Sequence, residues 1–158
     1  MPENRPQNQV SFELLWWVFT LVLAALVVAP IYTQIPDFPF YLPNIVYVIV
    51  AVTFTRYLFF LDISWLRDRI VLQGLIGVAV VPLIFYLVQE FNYFVIFFDE
   101  NGPDTLVSHL PADRQEVMDS YMKIEYRFFG VWAITAAALT PFRLIYNAWV
   151  RYRGVGRK

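Results

Sequence analysis

Four stretches of this chain are apolar and almost free of charge for long enough to cross a bilayer, and that leaves few folds open. A hydrocarbon core of about 30 Å needs about 20 helical residues at about 1.5 Å each. Inside lipid, backbone N–H and C=O groups must find partners within the protein, which a helix provides along its own length. The expected fold class is therefore all-α: a polytopic membrane protein, a four-transmembrane-helix bundle with a short amphipathic helix before the fourth helix. Residues 1–158 read as a single integral membrane domain.

The first pass is expected over about 14–32, opened by Ser11 as N-cap and Glu13 in the first turn, where an acid suits the helix dipole. Val27 and Ala29 loosely imitate a signal-peptide cleavage pattern. The apolar run is too long and Pro30 would follow the cut, so it reads as a retained anchor. The second pass covers about 43–61, with Pro43 in the first turn, where a missing N–H is tolerated. The third covers about 70–93, with apolar residues continuing to Phe98 and a bend expected at Pro82. An outer loop and amphipathic helix occupy about 99–127. The fourth pass covers about 128–150, interrupted by Pro141 and Arg143.

Only 16% of residues are charged, against about 25% in an average soluble domain, and 19% are aromatic. The chain has no cysteine, which excludes a disulfide framework, a thiolate nucleophile and an iron–sulfur cluster. A single histidine, His109, excludes bis-histidine haem ligation within one chain. No catalytic residue, metal site or cofactor is expected.

Charge distribution sets the expected orientation. The connection from Thr33 to Leu42 holds Asp37 and no basic residue, and the region from Asp99 to Arg127 is mostly acidic. The short second connection holds Arg67 and Arg69, and the tail holds Arg151, Arg153, Arg157 and Lys158. Positive residues favour the cytoplasmic side, so both termini are expected there, in the inner or plasma membrane. Trp16, Trp17, Trp65 and Trp149 then fall at the same boundary, where indoles prefer to sit.

Two arginines fall inside the passes. Arg56 lies about 18 Å beyond the outer start of the second helix and Arg143 about 22 Å into the fourth. With Glu13 and Asp62 at the inner boundary, an intramembrane charge cluster of Glu13, Arg56, Asp62 and Arg143 is expected. Its ordinary role is structural or lipid-anchoring, and its functional alternative is a pathway or ligand role. If Arg56 pairs with Asp62 or Glu13, reversing both charges should restore folding that either single reversal loses. Near the outer surface, Glu90 and Arg127 are expected to form an interfacial ion pair. No acid, base or histidine is expected near the midplane, which holds Tyr47, Thr53, Gly77, Pro82 and Thr135 instead.

Small residues recur at helix-packing spacing: Ala25 and Ala29 on the first helix, Gly74 and Gly77 on the third, and Gly130, Ala133 and Ala137 on the fourth. Such stripes allow close backbone approach, either within the bundle or against another membrane subunit. After Pro111, the residues Val117, Tyr121, Ile124 and Phe128 mark an amphipathic helix that feeds directly into the fourth pass, its apolar stripe expected to pack on the bundle or the membrane surface. The prolines at 30, 36, 39 and 43 are expected to break the first outer connection, setting Tyr32, Phe38, Phe40 and Tyr41 among the headgroups, with a re-entrant loop as the alternative.

Asp99, Asn101 and Asp104 hint at calcium, but the EF-hand pattern fails at its glycine and glutamate positions. Ser108 beside His109 lacks the third member that hydrolysis requires. The expected partners are anionic lipid headgroups at the basic tail and other membrane subunits, or further copies of the chain as a homo-oligomer, with no nucleic acid. The leading functional expectation is a non-catalytic membrane subunit or assembly protein. The alternative is an oligomeric ion channel or small transporter with Arg56 and Arg143 lining an anion or lipid-headgroup path, and a membrane enzyme comes last.

Overall fold

The computed structural model describes residues 5–102 and 104–155; Arg157 and Lys158 of the basic tail lie outside them. The chain forms a membrane-spanning bundle of four long helices, α1 (Arg5–Gln34), α2 (Tyr41–Phe60), α3 (Ile70–Asn101) and α5 (Ala112–Val155), with a single-turn α4 (Asp104–Val107) before the last. Among the described residues there is no strand. Val71, Val78, Phe85 and Phe142 are each at least 71% exposed on the outer surface. So much outward apolar area is stable only with lipid as the solvent.

The helices are arranged in the order α1, α2, α5, α3. The α2/α5 contact is the most extensive, α3 packs on α5, α1 packs on α2, and α1 touches α5 only slightly. At the α2/α5/α3 junction the Tyr126 ring stacks on Phe94 with centroids 3.8 Å apart, and Tyr47 meets Tyr126 edge-on at 5.0 Å. Both phenols are fully buried. Their hydroxyls donate to α3 carbonyls, Tyr47 to Leu87 O at 2.7 Å and Tyr126 to Glu90 O at 3.4 Å, so neither is stranded in apolar surroundings.

At one end of the bundle, two 3-10 turns (Leu61–Ile63 and Trp65–Asp68) link α2 to α3. Gln73 locks this link, donating to Leu66 O at 2.8 Å and Arg67 O at 2.9 Å while accepting from Asn147 Nδ2 at 3.1 Å. Arg67, Arg69, Arg151 and Arg153 gather here, with Arg151 paired to Asp68. We call this the arginine end. At the opposite, loop end, α3 stops at Gly102, whose positive φ of 73° suits glycine and whose N–H caps Phe98 O at 3.1 Å. His109 meets Gln34 O at 2.8 Å and ties the following loop to α1.

Several local expectations are corrected. The acidic region holds less loop than the bounds 99–127 imply, because α3 projects to Asn101 and the helix expected after Pro111 feeds directly into the fourth pass as one α5 of 44 residues. Pro30 and Pro141, expected to break or interrupt their segments, lie inside helices that continue through them. The α1/α2 connection spans only 35–40, and Phe38 and Phe40 are buried rather than set among headgroups. Phe40 packs edge-on against Phe94, Phe97 and Tyr126, and Tyr41 donates its hydroxyl to Ile35 O.

Of the expected stripe, Val117, Ile124 and Phe128 face outward, while Tyr121 is half-buried and donates its hydroxyl to Val27 O of α1 at 2.7 Å. The buried face of α5 is one residue further on, at Met118, Met122, Glu125 and Phe129. One residue is a rotation of about 100°, and in lipid the more apolar face turns to the solvent while the mixed face packs inside.

Candidate functional site

Arg56 reaches the arginine end near the close of α2 and is 3% exposed. It forms an ion pair with Glu13 of α1. Its guanidinium lies 5.8 Å from the Phe12 ring centroid, 5.9 Å from that of Trp16 and 5.3 Å from that of Tyr57. Cation–π attraction from three rings compensates part of the lost hydration. The same Glu13 Oε1 accepts from Ser64 Oγ at 2.9 Å and from Trp65 N–H at 3.3 Å, so this carboxylate also ties α1 to the turn after α2. The pair is incompletely satisfied: Glu13 Oε2 and Arg56 Nε have no hydrogen-bond partner, and Arg56 Nη2 touches Glu13 without hydrogen-bond alignment.

Arg143 makes a separate pair. Its Nη2 lies 3.1 Å from Asp62 Oδ2, and its Nε donates to Leu58 O at 3.2 Å, capping a carbonyl in the last turn of α2. The four charges expected as one cluster thus form two ion pairs, one enclosed by rings and one open to the surface at Asp62.

Glu90 and Arg127 are not paired among the described residues; α5 presents Tyr126 to α3 at this level, which turns Arg127 outward. The small residues divide in two. Gly130, Ala133 and Ala137 are buried, and a Cβ on Gly130 would lie 2.7 Å from a ring carbon of Phe91. Ala25 and Ala29 are exposed, because the inward stripe of α1 is Thr20, Ala24, Val28 and Ile31. Gly74 and Gly77 open onto a groove between α3 and α5, and a Cβ on either meets nothing within 4 Å.

One site went unrecognised in the sequence. Asn44, fully buried in the first turn of α2, donates from Nδ2 to Glu125 Oε2 of α5 at 2.9 Å. Glu125 is 6% exposed. Asn44 stands about 18 Å along α2 from Arg56, in the first turn of a helix about 30 Å long, so this pair lies near the loop end of the bundle. Packing of α5 on α2 draws Glu125 into the bundle there. The available signal was Asn44 itself, a lone carboxamide in an otherwise apolar run, together with the 118, 122, 125, 129 spacing on α5.

No protein family, curated protein or solved structure matches this chain. The functional reading therefore rests on the geometry of its own residues. Among the described residues, no three His, Cys, Asp or Glu side chains converge to hold a metal ion.

Proposed function

We propose that this chain is a non-catalytic integral membrane subunit that binds a transmembrane helix of a partner membrane protein in the groove beside Gly74 and Gly77. The groove has a volume of about 370 Å³ and is walled by Ile70, Val78, Pro141, Leu144 and Ile145. The open backbone at the two glycines carries this reading, since close backbone approach is what drives helix association where lipid removes the hydrophobic drive. A second copy is the weaker candidate. A two-fold contact sets the same patch against itself, and two concave patches would leave a void.

A channel or transporter lined by Arg56 and Arg143 finds less support. Arg56 faces a carboxylate inside an aromatic shell, and the bundle interior between Tyr47, Phe94 and Tyr126 is filled by rings. The orientation we favour has the arginine end in the cytoplasm, in the inner or plasma membrane. Arg69 stacked over Trp65 at 4.5 Å and Arg153 over Trp149 at 3.8 Å suit a headgroup girdle, and the basic tail suits anionic lipid.

Site-specific photo-crosslinking tests the groove. A photoreactive residue at Val78, in the groove wall, should give one discrete protein adduct in native membranes, lost when Gly77→Leu fills the groove, while the same group at Phe85 gives none. An adduct of twice the chain mass would assign the groove to a second copy, and no adduct at Val78 would overturn the proposal.

A further inference from the structure

The pairing of Glu125 with Asn44 leaves two oxygens unaccounted for. Glu125 Oε1 and Asn44 Oδ1 are both buried and both lack a hydrogen-bond partner among the described residues. Each belongs to the same two planar groups that already share the Nδ2–H to Oε2 bond. A buried acceptor without a donor is unfavourable by about 1–3 kcal/mol, and here neighbouring groups carry two. A single proton on Oε1 removes both defects, because the carboxyl O–H then donates to Oδ1 and closes a ring of two hydrogen bonds.

No nearby cation offers another solution. On α5, Lys123 is engaged by Asp119 at 2.8 Å and Arg127 is exposed. α2 carries no charge before Arg56, with Tyr41 and Tyr47 its titratable groups at this level. α1 carries none between Glu13 and Gln34, Tyr32 being its titratable group there. From α3 come Tyr86, Glu90 and Tyr93, and a charge on Glu90 only adds repulsion; α5 itself adds Tyr121 and Tyr126. A metal ion is also disfavoured, since hard cations take six or more oxygen ligands and this site has two unused oxygens.

We infer that Glu125 and Asn44 form a buried proton-binding site near the loop end of the bundle, with the carboxyl group neutral and doubly hydrogen-bonded to the carboxamide, and that this proton holds α2 against α5. Loss of the proton leaves a carboxylate facing a carbonyl oxygen at the most extensive helix contact of the bundle. The folded state favours the protonated form, so this contribution is present at low pH and lost as pH rises through the site's titration.

The experiment compares purified wild type with Glu125→Gln by thermal unfolding between about pH 6 and pH 9 and by infrared spectroscopy. Glutamine reproduces the neutral ring, because its Nε2–H donates to Asn44 Oδ1 and its carbonyl accepts from Asn44 Nδ2. We expect wild type to show a protonated-carboxyl carbonyl band absent from Glu125→Gln, and Glu125→Gln to keep the low-pH Tm of wild type without losing it at high pH. Asn44→Leu should shift the band to higher frequency; if that variant does not fold, the glutamine comparison still decides. Absence of the acid band throughout the range, or a Glu125→Gln protein less stable than wild type at low pH, overturns the inference. So does a sodium-dependent rise in Tm accompanied by loss of the band.

Discussion

Arg56 is enclosed by three rings and one carboxylate, so its removal exposes Glu13 to surroundings that no longer neutralise it. Truncating one member of a buried pair is unfavourable by about 3–5 kcal/mol, and Arg56→Ala should lose about that much in mixed-micelle unfolding. Reversing both charges should recover only part of the loss. Glu13 also accepts from Ser64 and Trp65, and an arginine at position 13 would set donors against those donors. The depth of Arg56 could be counted along the second apolar run. Its partner could not, because the sequence offered Glu13 and Asp62 at the same boundary and only the packing of α1 on α2 selects Glu13.

At the scale of helices, two glycines of identical chemistry are expected to respond oppositely to the same substitution. Gly130→Ala forces its new methyl against the Phe91 ring and should destabilise by about 1–3 kcal/mol. Gly74→Ala enters open space and should leave the isolated bundle as stable or more so, since alanine favours helix by about 1 kcal/mol. Denaturation of the two variants side by side checks the contrast.

Both glycines belong to small-residue stripes that look alike in the sequence, and nothing local says which stripe faces a neighbour. The same ambiguity explains α5: stripes at 117, 124, 128 and at 118, 122, 125, 129 have the same helical period. The more apolar of two such stripes is the inner face of a helix in water and the outer face of one in lipid, so the pattern alone left bundle and membrane surface both open. Glu125 was hidden by its company, being one of seven acidic residues between Asp99 and Arg127. Only the packing of α5 on α2 separates it from its solvated neighbours.

For the whole molecule, four long helices with the start of α1, the end of α5 and the described arginines of the turn at one end make a simple topology test. A cysteine introduced at Ser108 should react with a membrane-impermeant maleimide added to intact cells. One at Arg153 should react only after permeabilisation, and the absence of native cysteine keeps the readout clean. The opposite pattern would invert the orientation favoured here. That the chain spans a membrane, and roughly where, was legible because run length and backbone pairing leave no alternative. The order of the helices was not, since it depends on which apolar surfaces interlock.

The last helix is also the longest, 44 residues without a break. At about 1.5 Å per residue it is a rod of about 66 Å, twice the depth of the oily layer it pierces. Held along its middle by α2 and α3, it carries one unbroken line of backbone from the acidic side of the molecule to the basic one.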